Sequence, residues 1–290
     1  MTMTTETEAP QQGLAPETAD FYREALAAFE EAGVPVLVGG AYAYARYTGI
    51  VRHTKDFDVF VKPRDIGRAL DAFAARGWKT ERTFAHWLGK GYKGNDFVDV
   101  IFSSGNGVAR VDDLWFQHAV DDTVLGRPVR LVPPEEMIWS KAFIMERERF
   151  DGADVAHVLR CRAADLDWDR LLRRFEPHGG WRVLLVHLVL FGYIYPGDAR
   201  LIPGRVLETL AGRLRGDTAG EDEPLCRGTI LSRSQYLVDV LQWGYEDARL
   251  QPEGNMSPEE VERWTLAAEK DGDISQLAAI EGEHGPREFS

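Results

Sequence analysis

Three acidic residues stand where a strand would ordinarily carry apolar side chains. Asp56 and Asp58 alternate with Phe57 and Val59 in the run Asp56-Phe57-Asp58-Val59-Phe60-Val61, and Asp99 interrupts Phe97-Val98-Asp99-Val100-Ile101-Phe102. Side chains two apart on a strand share a face, so Asp56 and Asp58 project together while Phe57 and Val59 point the other way. Neighbouring carboxylates in apolar surroundings repel each other unless a cation lies between them. Magnesium suits such a pair, being a hard cation held by one or two carboxylates, waters and substrate phosphates. A third carboxylate from an adjacent strand would complete a two-metal clamp, able to activate an attacking hydroxyl and to stabilise a leaving pyrophosphate. Upstream, the short apolar run Val36-Leu37-Val38 ends on Gly39-Gly40. A glycine turn from strand to helix lets backbone N–H groups and the helix dipole receive phosphate oxygens at close range. If the three runs are sheet neighbours, acids and glycines converge on one metal-and-phosphate site.

Two other readings compete. Asp56 and Asp58 could cap a strand end and pair with Arg52 or Lys55, which leaves Asp99 and the glycines unexplained. A dinucleotide fold expects an acid roughly twenty residues beyond its glycines, but the turn reads Gly39-Gly40-Ala41-Tyr42-Ala43-Tyr44 where G-x-G-x-x-G is needed. Among the remaining polar residues, Arg52, His53 and Lys55 could neutralise phosphate charge. Lys90 and Lys93 fall in a glycine-rich segment, GKGYKGN, that reads as a hairpin tip. Trp87 and Tyr92 could stack on a base but are expected as core or cross-strand pairs. His157 and His187 sit in apolar helical surroundings and read as structural. Glu146, Arg147, Glu148 and Arg149 alternate in sign, the pattern of a solvated helix face. Asp151 and Asp154, one turn apart, read as cap or ion-pair partners.

The elements that must position these groups follow from the pattern. Glu17 to Ala32 has apolar residues at 21, 25, 26 and 29, a helical spacing ended by Gly33. Val36–Val38 is a buried strand, Ala41–Tyr47 a helix ended by Gly49, and Asp56–Val61 a strand closed by Pro63. Asp65 is a candidate N-cap for a helix over 66–76. Residues 78–102 read as strand pieces, with Gly89, Gly91 and Gly94 marking turns. A short helix near 112–119 and a strand or hairpin ending at Arg130-Leu131-Val132 follow. Pro133-Pro134-Glu135-Glu136 is a helix start, and residues 135–250 read as mostly helical. The expected organisation is a disordered leader over 1–17, an α/β core over 18–134, a helical domain over 135–250 and an acidic tail over 251–290.

At 290 residues and 44% hydrophobic, the chain can bury a sizeable core. Its net charge of −13 is concentrated at the ends, where residues 1–20 carry −4 and residues 251–290 carry −7. The body is close to neutral, which weighs against an extended RNA-binding surface, since phosphate contacts need clustered Lys and Arg. The N-terminus lacks the basic start and apolar core of a signal peptide, and Val183–Tyr195 is too short to span a bilayer and reads as a buried helix. Cys161 and Cys226 make neither a metal spacing nor a disulfide framework. A cytoplasmic protein without membrane association is expected.

The order Gly39-Gly40, Arg52, Asp56-Phe57-Asp58 and then Asp99 on a later strand resembles the DNA polymerase β-type nucleotidyltransferase superfamily. It is most similar to the bacterial branch of uncharacterised and abortive-infection-type (AbiEii-like) members, and the likeness spans roughly residues 34–160. The helix opening Pro134-Glu135-Glu136 and carrying Lys141, then Arg147, Asp151 and Asp154, resembles the lysine-bearing helix that follows the core in that branch. The resemblance implies an α+β fold, a mixed sheet flanked by helices followed by a mostly helical C-terminal region. It implies transfer of a nucleoside monophosphate from an NTP such as ATP to a hydroxyl of a tRNA, a protein or a small molecule. Asp56, Asp58 and Asp99 would be catalytic and would hold two Mg2+ ions, with Asp99 taking or positioning the proton of the acceptor hydroxyl. Gly39 and Gly40 would hold the β- and γ-phosphates, with Arg52, Lys55 and Lys141 contacting the triphosphate. Gly40 stands where many members carry serine, so contact there would rest on the backbone. A catalytically silent nucleotide- or partner-binding module, within a toxin–antitoxin-like pair, is the alternative.

Overall fold

The computed structural model describes residues 14–52, 54, 56–216 and 224–270. Helix α1 (Pro16–Glu31) starts with proline in its first turn and buries Phe21, Tyr22, Ala25, Leu26 and Phe29 on one stripe, as the spacing requires. Strand β1 (Leu37–Val38) leads through Gly39 into α2 (Gly40–Thr48), and β2 (Phe57–Phe60) follows. After α3 (Ile66–Ala74) come β3 (Lys79–Phe84), β4 (Leu88–Lys93) and β5 (Asp96–Ile101). Helix α4 (Asp113–Gln117), capped by the Asp112 carboxylate, precedes the hairpin of β6 (Val120–Val124) and β7 (Arg127–Leu131).

These seven strands form one mixed sheet in the order β3-β4-β5-β2-β1-β7-β6. The pairs β2/β5 and β1/β7 are parallel and the rest antiparallel. Alternation on β2 is clean: Phe57 and Val59 are fully buried, while Asp58 and Phe60 lie on the opposite face. Phe57 stacks on Tyr22 of α1 with centroids 4.7 Å apart, and full burial of such a ring is worth about 1.5–3 kcal/mol.

Gly89 and Gly91 are interior positions of β4, whereas turns were expected there; only Gly94, at φ 64°, sits in one. The reason is close packing. A Cβ on Gly91 would fall 2.1 Å from the Phe73 ring of α3, and one on Gly89 would crowd Ile66 and Leu70. Bare strand backbone lets α3 lie directly on the sheet, and the alternation then turns Lys90 to the other face. Asp65 occupies the expected N-cap position of α3 but gives no side-chain cap, binding Arg68 instead.

The second half is largely helical: α5 (Pro134–Ala142), α6 (Gly152–Arg162), α7 (Trp168–Arg174), α8 (Trp181–Ile194) and α9 (Gly204–Gly216). The acids at the start of α5 do more than favour a helix terminus. Glu136 is fully buried and receives Arg170 at 2.6 Å and Arg174 at 3.0 Å, clamping α5 to α7. Helix α8 is buried on one face, by Trp181, Leu184, His187, Leu188 and Phe191, while Val186, Val189 and Tyr193 are exposed, so the buried helix expected is buried on that side alone.

Beyond α9 the chain forms β8 (Leu225–Cys226), α10 (Gly228–Leu231), α11 (Leu237–Leu241), β9 (Glu246–Asp247) and α12 (Pro258–Lys270). The small parallel pair β8/β9 was not expected in a helical region. Nor does the acidic stretch after 250 simply leave the fold. Helix α12 lays Trp264 against Phe84 and Trp87 at the end of the β3-β4 hairpin, with centroids 5.0 and 5.4 Å away. Among the described residues, no helix is long and apolar enough to cross a membrane.

Candidate active site

The register of the central parallel pair sets Asp58 of β2 directly beside Asp99 of β5. Directly paired residues on adjacent strands share a face about 5 Å apart, so the two carboxylates stand together. Asp58 feels the consequence: burial, then the charges of Asp99 and Asp56, push its pKa up from 3.8 to about 7. Burial also pushes Asp99 up, although Lys90 of β4, its cross-strand partner, places Nζ 2.8 Å from Oδ1. Lys90 therefore braces the third acid from beside it; it is not a solvated hairpin tip. Lys93 is at the tip and pairs with Glu24 of α1. Asp56 precedes β2, is exposed, and receives Thr54 Oγ1 on its backbone N–H at 3.0 Å, with the N–H donating.

Gly39 and Gly40 lie against Asp58 from the neighbouring strand. The Gly39 N–H donates to the Asp58 carbonyl at 3.0 Å, and the ring of Phe60 occupies the space where a Gly39 side chain would go. Gly40 has φ 52°, and a Cβ there would fall 1.8 Å from Asp58 Oδ2. Both glycines are thus required by contact, and Gly40 by backbone conformation as well. The carboxylate of Asp58 sits at the N-terminus of α2, a place where positive dipole and free N–H groups favour an anion.

Lys141, near the end of α5, is held by two acids: its Nζ lies 2.8 Å from Asp151 Oδ2 and 2.8 Å from Asp154 Oδ2. Arg149 adds a contact to Asp151 at 3.2 Å, and Arg52 reaches Asp154 at 2.5 Å while lying over the Tyr44 ring. The chain Arg52–Asp154–Lys141–Asp151–Arg149 is therefore one charge network. Lys141 and Arg149 both draw the Asp58 pKa back down, which sets them close to the acid pair. Lys55 and His53 lie outside the described residues.

A cavity of about 210 Å3 opens on this face of the sheet. Gly39, Gly40, Asp58, Lys141, Arg149 and Asp151 contribute to its wall, whereas Asp56, Asp99 and Arg52 do not. Among the described residues, no three His, Cys, Asp or Glu side chains are already gathered tightly enough to cage an ion. Asp58 is nonetheless a poor resting place for negative charge. Among the described residues no cation pairs with it directly, and like charges press on it from two sides. A divalent ion between Asp56 and Asp58 would relieve that repulsion, so the donor set is of the right chemistry for magnesium.

Several wall residues were missed by sequence reasoning. The segment 143–151 is a turn closed by a Met145–Phe150 bridge, not a solvated helix, and it brings Glu146 and Arg149 to the cavity. Ser103 and Ser104, just beyond the third-acid strand, also line the wall. Their turn-rich sequence, Ser103-Ser104-Gly105-Asn106-Gly107, was the available signal. Nothing local marked Arg233 or Trp264.

A sheet with paired acids beside a glycine turn, backed by a lysine-bearing helix, is the frame of a nucleotidyl-transfer enzyme. Residues 18–195 match the family described as "Uncharacterised nucleotidyltransferase", and the chain belongs to that family; it is an enzyme of the nucleotidyltransferase class. No curated protein matches the sequence. Among solved structures, the chain is similar to the antibiotic-resistance factor ANT(2'')-Ia, at 15% identity over 70% of this chain and 94% of the other, with a TM-score of 0.36. It is also similar to the lincosamide antibiotic adenylyltransferase LnuA, bound to lincomycin, at 15% identity over 50% and 96%, TM-score 0.35. JHP933 from Helicobacter pylori aligns at 12% identity over 70% and 96%, TM-score 0.32.

Proposed function

We propose that this chain is a magnesium-dependent nucleotidyltransferase, active in the cytoplasm, that moves a nucleoside monophosphate from ATP or another NTP onto a hydroxyl acceptor and releases pyrophosphate. The observation that carries the reading is the pairing of Asp58 with Asp99 beside the Gly39-Gly40 turn, on the cavity face that Lys141 also reaches. Asp56 and Asp58 would hold the magnesium ions, with Asp99 sharing one. When bound, these ions supply positive charge that neutralises the phosphates and lowers the cost of charge build-up on the leaving group.

The chain's own groups do the rest. The Gly39 N–H is taken by the Asp58 carbonyl, so the Gly40 end of the turn, at the start of α2, orients the β- and γ-phosphates, and Lys141, with Arg52 and Lys55, offsets triphosphate charge. The acceptor hydroxyl attacks the α-phosphorus in line; a new O–P bond forms as the bond to the bridging oxygen breaks, and pyrophosphate leaves. Asp99 accepts the proton of the acceptor hydroxyl or positions it. Lys90 at 2.8 Å holds the carboxylate in place.

The long interval between Gly40 and Asp56 and the lysine on α5 favour the abortive-infection-type branch, in which residues 18–134 act as the catalytic core and 135–250 as an appended helical domain. A small-molecule acceptor fits a neutral body better than a tRNA does. A toxin–antitoxin partner belongs to the silent-module alternative. The test is binding of a non-hydrolysable NTP analogue with and without magnesium, followed by transfer of label from α-labelled NTP. Magnesium-dependent binding that disappears in Asp56→Ala plus Asp58→Ala is expected. Binding that is indifferent to both would sink the reading, and binding without transfer to any acceptor would favour the silent module.

A further inference from the structure

The cavity beside Asp58 extends into an aromatic chamber that the nucleotide chemistry does not use. Its wall includes Phe60, Trp87, Trp115, Phe143 and Trp264. The indole N–H groups of Trp87 and Trp115 are closed off from the cavity, so what these rings present to a ligand is apolar surface. Apart from Asp58, which the proposed reading reserves for magnesium, the acidic side chains of the wall are committed. Glu146 pairs with Arg233 at 2.9 Å, and Asp151 pairs with Lys141 and Arg149. That leaves no surplus of carboxylates to attract a polycation.

One side of the chamber is supplied by residues outside the stretch that matches the family, 18–195. Thr229, Ile230 and Leu231 of α10, with Arg233 and Trp264 beyond, complete the wall. Trp264 is fixed against Trp87 and Phe84, and the Arg233 guanidinium lies 4.5 Å from its ring centroid while pairing with Glu146 of the 143–151 turn. A Cβ on Gly105 would come 2.6 Å from the Trp264 ring, so that glycine makes room for it. The C-terminal strap is thereby fastened across the core's own site.

We propose that this chamber is the acceptor pocket, that its ligand is a compact, uncharged alcohol with an aromatic or aliphatic body, and that Trp264 and the strap set its specificity. An apolar cavity of about 150 Å3 holds one benzene ring, so the space here suits a body of one or two rings. The inference rests on the nucleotidyl-transfer reading for the hydroxyl and the role of acceptor, but the apolar body of the ligand follows from the wall alone.

The full chain is tested by saturation-transfer NMR with 2-naphthalenemethanol, against 2-methylnaphthalene and an aminocyclitol polycation, with and without magnesium and a non-hydrolysable NTP analogue. Saturable binding of the alcohol and of the hydrocarbon is expected, undisturbed by the analogue, and absent for the polycation. Trp264→Ala should weaken the alcohol at least tenfold while the analogue's affinity moves less than twofold. Leu231→Trp fills the same chamber without removing a strap contact and should abolish alcohol binding, which covers the case in which Trp264→Ala fails to fold. No alcohol binding, displacement of the alcohol by the analogue, or equal binding to both variants overturns the proposal. Alcohol binding that responds to both variants, in a protein that binds no NTP analogue, sustains the apolar body of the ligand and overturns the nucleotidyl-transfer reading instead.

Discussion

Glu136→Ala should unfold the second half of the molecule more easily than any change at the cavity. The side chain is fully buried and accepts Arg170 Nη1 at 2.7 and 2.6 Å on its two oxygens, and Arg174 Nε at 3.0 Å. Burial pushes its pKa up even with two guanidiniums beside it. The cost of removing these charges from water is therefore comparable with their attraction, and the intact cluster adds little net stability. Removing one partner is different, because it leaves buried cations uncompensated, at about 3–5 kcal/mol. Arg170 keeps Glu135, and Arg174 keeps Asp112 at 2.6 and 2.8 Å, which places the expected loss near the lower end. At about 2–4 °C per kcal/mol for a chain near this size, a loss of about 3 kcal/mol lowers Tm by about 6–12 °C. Circular dichroism melts at neutral pH measure this directly, and Glu136→Gln, which preserves shape and hydrogen bonding, should fall between the two. A Tm drop of less than about 2 °C for Glu136→Ala would refute the clamp.

Two further outcomes are expected. Burial pushes the His187 pKa below 6.5 against the opposing effect of its 2.8 Å contact with the Ala142 carbonyl, to which neutral Nε2–H donates. The unfolded chain then binds a proton that the folded chain resists, so stability is full above pH 6.5 and falls as pH drops below it; urea melts from pH 7.5 to 5.5 should show a shallower decline in His187→Gln, and an unchanged slope would count against the assignment. Gly40→Ala meets both a left-handed backbone, at about 1–2 kcal/mol, and Asp58 Oδ2 at 1.8 Å; it should lower Tm and weaken NTP-analogue binding, whereas Gly126→Ala, also left-handed but open, should lower Tm alone.

Period-two alternation made the central strands legible, because Phe57 and Val59 had to face the helices if Asp58 was to face the cavity. Asp58 and Asp99 could likewise be paired in advance, since acids in apolar strands have few tolerable positions. The same rule hid β4. Gly89 and Gly91 read as turns because their purpose is space for Leu70 and Phe73 of α3, partners eighteen residues or more away that no local pattern announces. The 143–151 turn was hidden for a similar reason: alternating charges resemble a solvated helix until Lys141 and Asp151 are known to meet. Trp264 is the extreme case. It lies in an amphipathic, acidic helix, and only the fold brings it to Trp87.

Helix α5 joins these separate arguments, because structure and chemistry are divided along its length. Its first turn is held by a buried cluster with α7, and its last turn presents Lys141 to Asp151 and Asp154 beside the cavity. A change at the first turn therefore reaches the site only by loosening the helix, and it must move Tm before it moves nucleotide affinity. Lys141 is different: its side chain is one-fifth exposed, and its removal leaves Asp151 with Arg149 and Asp154 with Arg52. Lys141→Met should accordingly leave Tm within about 2 °C, about 1 kcal/mol or less, while weakening NTP-analogue binding. Opposite rankings of Glu136→Gln and Lys141→Met in Tm and in nucleotide affinity would separate the helix as a support from the helix as a ligand. If Lys141→Met instead tracked Glu136→Gln in both measurements, Lys141 would be one more strut, and its part in binding phosphate would be withdrawn.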